Sequence, residues 1–217
     1  MAKSAPELAD KIRVAYNPLP PELADLKLEK ALDEVPTILY VGGDSYIKGF
    51  HIVLKTLYFL NKKRVNMKFI MAGSYSQMNI KTLKNIAKKL NALEILILGK
   101  INYCKIIELH KSIWALFYPS IVEEPLPYAV VESMALGTLP VVSKTGGILE
   151  VLGGTYAIEL AFQPRNIEDA VSKLEMLALM SKAEIISLGH KLQEKNKISA
   201  RLVKNRFDLI VCGLESQ

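Results

Sequence analysis

The chain has 217 residues, half of them hydrophobic, and a formal net charge of +6, which suits one large domain, or a domain with appendages, around a substantial core. No run of about 20 apolar residues occurs and the N-terminus, MAKSAPELADKIRV, lacks an apolar stretch, so neither a membrane-spanning helix nor a signal peptide is expected. Cys104 and Cys212 are only two and far apart, which argues against a disulfide framework or a metal cluster and fits a cytoplasmic protein.

Residues 1–34 carry little periodicity, and Pro18, Pro20 and Pro21 break them into an extended arm or linker, leaving 35–217 as the folded domain. The body then alternates. Thr37 to Val41 (TILYV) predicts a strand, Phe50 to Leu60 a helix, Met67 to Ala72 a strand and Met78 to Leu90 a lysine-rich helix. Glu94 to Leu98 predicts a strand, Tyr103 to Ser112 a helix and Trp114 to Tyr118 a strand. Pro125 and Pro127 open a helix that stops at Gly137, and Leu139 to Ser143 forms the next strand. A short helical stretch near Leu149 and a strand over Tyr156 to Leu160 follow. Asn166, with Asp169 three residues on, caps a helix to about Met180. Ser181 and Glu184 form a capping box for a last helix to about Val211, which Gly189 interrupts.

Strands alternating with helices predict an α/β fold, a single Rossmann-like parallel sheet with helices on both faces. In such sheets ligands bind at the C-terminal strand edges. The chemistry-bearing loops fall there: Gly42-Gly43, Gly73-Ser74, Gly99-Lys100, Glu123-Glu124 and Thr145-Gly146-Gly147. Glu124 precedes a helix N-terminus, which carries unpaired N–H groups and partial positive charge and so suits an anion. Glu132 lies among apolar residues of that helix, so its carboxylate faces solvent or a partner, because unpaired burial is costly. His51, His110 and His190 form no metal or triad pattern and read as surface or helix-packing residues.

From Lys48 to Lys111 thirteen Lys or Arg stand against two acids, Glu94 and Glu108. An anionic partner and a set of solvated helix-face lysines both fit. Nucleic acid is disfavoured, because the aromatic residues there are not interleaved with the basic ones in a way that supports it. Ser181 to Phe207 is also basic and amphipathic. It suits either docking on an anionic membrane, making the protein peripheral there, or a terminal helix packed across the domain.

Glu124 and Glu132, seven residues between them, are followed by Ser-Met-Ala-Leu-Gly-Thr-Leu-Pro-Val-Val and then by Gly146-Gly147-x-x-Glu150. This string resembles the donor-site signature in the C-terminal half of group 1, family 4-like, retaining GT-B glycosyltransferases. Lys11 to Leu23 is similar to the stretch that links the two domains there. The resemblance implies transfer of a sugar from a UDP- or GDP-sugar, the nucleotide sugar being substrate, with no further cofactor and no metal. It implies Glu124 as the catalytic residue beside the sugar and Glu132 on the ribose. Gly42, Gly43, Lys48 and Gly49 would form the diphosphate loop. Lys100 and Ile101 would meet the base, and Leu126, Pro127, Tyr128 and Ala129 the helix-N-terminal phosphate site. Two departures stand out. Gly43 occupies the position of an arginine, and Pro127 that of a glycine. An acceptor-binding half is implied as a separate protein or a second copy of this chain. A non-catalytic nucleotide-sugar-binding module and an epimerase-like domain are the alternative readings.

Overall fold

A computed structural model of the protein describes Leu23, Leu26 and residues 28–196. It holds a five-stranded, all-parallel sheet in the order β3-β2-β1-β4-β5. The strands are β1 (Thr37–Tyr40), β2 (Met67–Ala72), β3 (Leu93–Gly99), β4 (Ala115–Tyr118) and β5 (Leu139–Val142). The helices are α1 (Phe50–Lys62), α2 (Gln77–Ala87), α3 (Tyr103–Leu109), α4 (Tyr128–Ala135), α5 (Ile148–Leu152) and α6 (Ile167–Ala178), with a further helix α7 over 182–196. Right-handed crossovers put α1 and α2 on one face and α3 and α4 on the other. This is the expected α/β architecture.

The central strands read as near-continuous apolar runs because both of their faces are covered. All four residues of β1, β4 and β5 are buried. In β3, at one edge of the sheet, exposed Glu94 and Leu96 alternate with more covered neighbours. Pro140 lies in β5, at the opposite edge, where its missing N–H breaks no central ladder. The order of strands reverses between β1 and β4. Their C-terminal ends therefore open a crevice.

Residues 28–36 pack on the domain. Ala31 and Asp33 donate to the carbonyls of Lys111 and Ser112 at 2.9 and 3.0 Å, and the Trp114 indole donates to the Asp33 carbonyl at 3.0 Å. Leu23, Leu28 and Leu136 form a small separate apolar cluster.

Four local expectations change. Pro125 lies in a loop and Pro127 is the N-cap of α4, so the helix itself begins at Tyr128. Tyr156–Leu160 is a 3-10 turn, and only a single bridge, Ser143 with Phe162, continues the sheet there. Gly189 does not interrupt α7, which runs through it, and a Cβ there would stand 2.3 Å from the Gly137 carbonyl oxygen. Glycine lets the helix cross that turn closely. His110 is a core residue, 3% exposed, with Nδ1 2.8 Å from Thr138 Oγ1.

The predicted caps form as drawn. Asn166 Oδ1 accepts from the Asp169 amide at 3.0 Å. The Ser181 hydroxyl accepts from the Glu184 amide at 3.2 Å, while the Glu184 carboxylate accepts from the Ser181 amide at 2.7 Å. Helix α7 packs across the domain, with the Asn196 amide donating to the Val131 carbonyl at 3.2 Å and Lys195 donating to the Gly153 carbonyl. The rest of the basic terminal stretch lies outside the described residues. Among the described residues no helix is long and apolar enough to cross a membrane.

Candidate functional site

A cleft of about 530 Å³ opens at the crevice between β1 and β4, lined by Val41, Gly42, Ser45, Lys48, Tyr118, Glu124, Leu126, Tyr128 and Ala129. Its volume suits a small-molecule ligand.

One wall is the loop between β1 and α1. The amides of Gly43 and Asp44 donate to the carbonyls of Ala72 and Ser74 at 3.2 and 3.0 Å, lacing the loop to the end of β2. The Asp44 carboxylate accepts from the Ser76 amide at 2.7 Å and from Asn79 Nδ2 at 2.9 Å. These hydrogen bonds, the Ser76 amide first, hold its carboxyl below the usual range. Gly43 has φ 59°, and a Cβ there would lie 2.4 Å from the Ser74 carbonyl oxygen. The loop therefore requires glycine where the resemblance places arginine, and no side-chain cation can stand there in this conformation. Gly49 precedes α1 and its carbonyl accepts from Ile52 and Val53 at 2.9 and 3.0 Å.

The facing wall is the segment from β4 to α4. It is tied to the first wall by the Ile121 amide, which donates to the Ile47 carbonyl at 3.0 Å, and by the fully buried Ser120, whose hydroxyl donates to the same oxygen at 3.3 Å. The Thr145-Gly146-Gly147 turn supports it from behind. The Gly147 amide donates to the Glu124 carbonyl at 3.0 Å. A Cβ on Gly146 would stand 2.3 Å from that oxygen, so the glycine pair is what lets the turn approach the Glu124 backbone.

At the cleft centre three side chains form a closed ring. Lys48 Nζ donates to a Glu124 carboxylate oxygen, the Tyr118 hydroxyl donates to the other Glu124 oxygen at 2.6 Å, and Lys48 Nζ reaches the Tyr118 oxygen at 3.2 Å. Burial alone would push the Glu124 carboxyl up. The hydrogen bonds from Lys48 and Tyr118 and the lysine charge outweigh it and hold the group below the ordinary range. Burial, then the bond to Glu124, pushes the Tyr118 phenol up to about 12. It stays a donor at neutral pH.

The first turn of α4 points into the cleft through Tyr128 and Ala129. The first amides of a helix have no intrahelical acceptor. Pro127 sits one residue earlier, where its carbonyl accepts from Val130 and Val131 at 2.9 and 3.2 Å, so its missing N–H removes no helical bond. Glu132 lies one turn beyond Tyr128 and accepts from the Tyr103 hydroxyl at 3.1 Å. Burial raises its carboxyl pKa and the Tyr103 bond opposes that rise.

The structure thus gathers Gly42, Lys48, Glu124, Leu126, Tyr128 and Ala129 around one cleft, with Gly43, Gly49 and Pro127 in its supporting backbone. Glu132 is outside the lining, on the same helix. Lys100 and Ile101 lie in the loop before Tyr103 and do not line the cleft. Lys100 is exposed and Ile101 packs on the core. Sequence reasoning missed Tyr118, Ser45 and Val41. Tyr118 carried one signal, a hydroxyl ending an otherwise apolar strand beside the loop. Among the described residues no group of three or more His, Cys, Asp or Glu could hold a metal ion.

The fold is shared with solved structures, among them a glycosyltransferase. Anabaena HepE, in complex with UDP and glucose, superposes with a TM-score of 0.72 at 19% identity, covering 96% of this chain and 58% of that one. A glycosyltransferase from Rickettsia africae gives a TM-score of 0.68 at 21% identity, covering 92% of this chain and 56% of that one. Both share the Rossmann-like parallel-sheet fold of GT-B proteins. The model of the family "Glycosyl transferases group 1" matches residues 25–199, and the chain belongs to that family. It is 31% identical over 155 residues, 66% of its length, to an uncharacterized glycosyltransferase of Methanocaldococcus jannaschii, and spans 39% of that relative.

Proposed function

We propose that the cleft is the donor site of a retaining sugar transfer, binding a nucleoside-diphosphate sugar. The observation that carries this reading is the convergence of Lys48, Glu124 and the α4 N-terminus on one cleft at the sheet's reversal point. A diphosphate needs a cation and unpaired amides, and Lys48 and the first turn of α4 supply both. The Glu124 carboxylate stands beside them, ready to accept from sugar hydroxyls and to stabilise positive charge developing at the anomeric carbon. Glu132, half-buried on the same helix, suits a ribose diol, and the loop of Lys100 and Ile101 suits the base. HepE, with UDP and glucose bound on the same fold, supports the ligand class.

In this reading the acceptor occupies the open side of the cleft and meets a second wall there, from another lobe or another copy. Positioning between two walls is what brings sugar and acceptor into attack geometry. Lys48 carries the diphosphate charge with no arginine at Gly43. One such charge-assisted contact contributes roughly 1.5–3 kcal/mol, so the donor binds about tenfold or more weakly than at a two-cation site. The same observation favours a second reading, a nucleotide-sugar-binding module without turnover. An assay for sugar transfer, with and without a candidate acceptor protein, separates the two.

The deciding experiment is calorimetric titration with UDP, GDP and ADP and their sugar conjugates, beside Glu132→Ala. Micromolar to low-millimolar binding by one nucleotide, lost in the variant, is expected. Absence of binding by all of them, in folded protein, refutes the donor-site reading.

A further inference from the structure

The ring at the cleft centre contains one member with no role in the reading above. Tyr118 ends β4, is 7% exposed, and has its backbone held by β5. It pairs in register with Val142 of β5, and its carbonyl accepts from the Ser143 amide at 3.1 Å. Its hydroxyl is therefore fixed by the sheet. Lys48, by contrast, is a long side chain on a loop and can turn.

Lys48 is already committed. Its ammonium contacts Glu124 and Tyr118 and lies 5.5 Å from the centre of the Tyr118 ring. To meet an entering diphosphate it must leave Glu124. That departure would strip a part-buried carboxylate of its cation. Among the described residues the other side-chain donor to Glu124 is the Tyr118 hydroxyl, at 2.6 Å.

We propose that Tyr118 is a positioning residue whose hydroxyl anchors the Glu124 carboxylate while Lys48 exchanges that carboxylate for an anion. The exchange costs little because Glu124 keeps one charge-assisted bond throughout. It also keeps Glu124 ionised and aimed when the cleft is filled, which is when its charge is useful. The lysine's role rests on the donor-site reading; the anchor itself does not, and is testable in the free protein.

The test follows the Glu124 side-chain carboxyl by carbon NMR through a pH titration. Lys48→Met imitates the lysine turned away. Adding Tyr118→Phe to it removes one oxygen and keeps the ring. The expected result is a rise in the Glu124 midpoint of about one pH unit from Lys48→Met to the double variant, the worth of one charge-assisted bond. Tyr118→Phe alone is expected to give a smaller rise in the same direction. A double variant that titrates with Lys48→Met overturns the proposal. Failure of nucleotides to bind would leave this titration unaffected and would count only against the donor-site reading.

Discussion

Replacing Gly146 by alanine puts a methyl group where the structure has the backbone of Glu124. The added carbon would stand 2.3 Å from the Glu124 carbonyl oxygen, 2.7 Å from its nitrogen and 2.9 Å from its carbonyl carbon. The turn must open by about 0.7 Å merely to bring the shortest of these to 3.0 Å. The residue also has φ 54°, which costs a non-glycine roughly 1–2 kcal/mol. Gly99 supplies the control, because it has φ 69° with nothing within 4 Å of a Cβ. Gly99→Ala meets the φ cost alone, partly offset by about 0.4–1 kcal/mol of lost unfolded-state entropy, so a net loss near 1 kcal/mol or less is expected. Gly146→Ala adds an overpacking cost of roughly 1–3 kcal/mol against rigid backbone, for a total of about 2–4 kcal/mol. Urea unfolding of the two variants and the parent measures the difference. Glu124 should move with the turn, so Gly146→Ala should also weaken nucleotide binding by calorimetry. Equal stability losses in the two variants would refute the claim that the turn is packed against Glu124.

Gly43→Arg, the change that restores the arginine of the resemblance, is expected to destabilise by at least about 2 kcal/mol and to weaken nucleotide binding, because the Cβ meets the Ser74 backbone. Tighter binding in a fully stable variant would show that the loop adapts. Burial, with the charge of Lys30, pushes the His110 imidazole down to about 3, so the folded protein keeps it neutral while the unfolded chain protonates near 6.5. Its contribution is complete above pH 6.5 and is lost as pH falls, making the protein roughly 2 kcal/mol less stable at pH 5 than at pH 7, with a shallower slope in His110→Gln. Urea midpoints at the two pH values measure this, and identical slopes in parent and variant would count against the burial argument. Asn166→Ala, which removes the cap of α6, should cost about 1 kcal/mol by thermal unfolding with no effect on nucleotide affinity.

Much of the molecule was decided by local sequence. The five strands are short apolar runs between turn residues, and their alternation with helices fixes a parallel sheet because parallel neighbours need crossovers. The caps at Asn166 and Ser181 depend on residues three apart and were legible for that reason. The spacing of Glu124 and Glu132 marked the site region, since both lie on one loop and helix. Contacts between distant segments were not legible. Lys48 and Glu124 are 76 residues apart, and only the strand order that sets β1 beside β4 brings them to one point with Tyr118. The same holds for His110, which reads from sequence as a surface or helix-packing residue and which the hydrogen bond to Thr138, 28 residues on, places in the core. Tyr156–Leu160 has strand-like composition and forms a 3-10 turn, because β5 offers a partner only at the Ser143–Phe162 bridge. Sequence sets what each segment prefers. Which polar groups meet, and which are taken from water, follows from how the sheet orders the segments, because burial and hydrogen bonding act between neighbours in space.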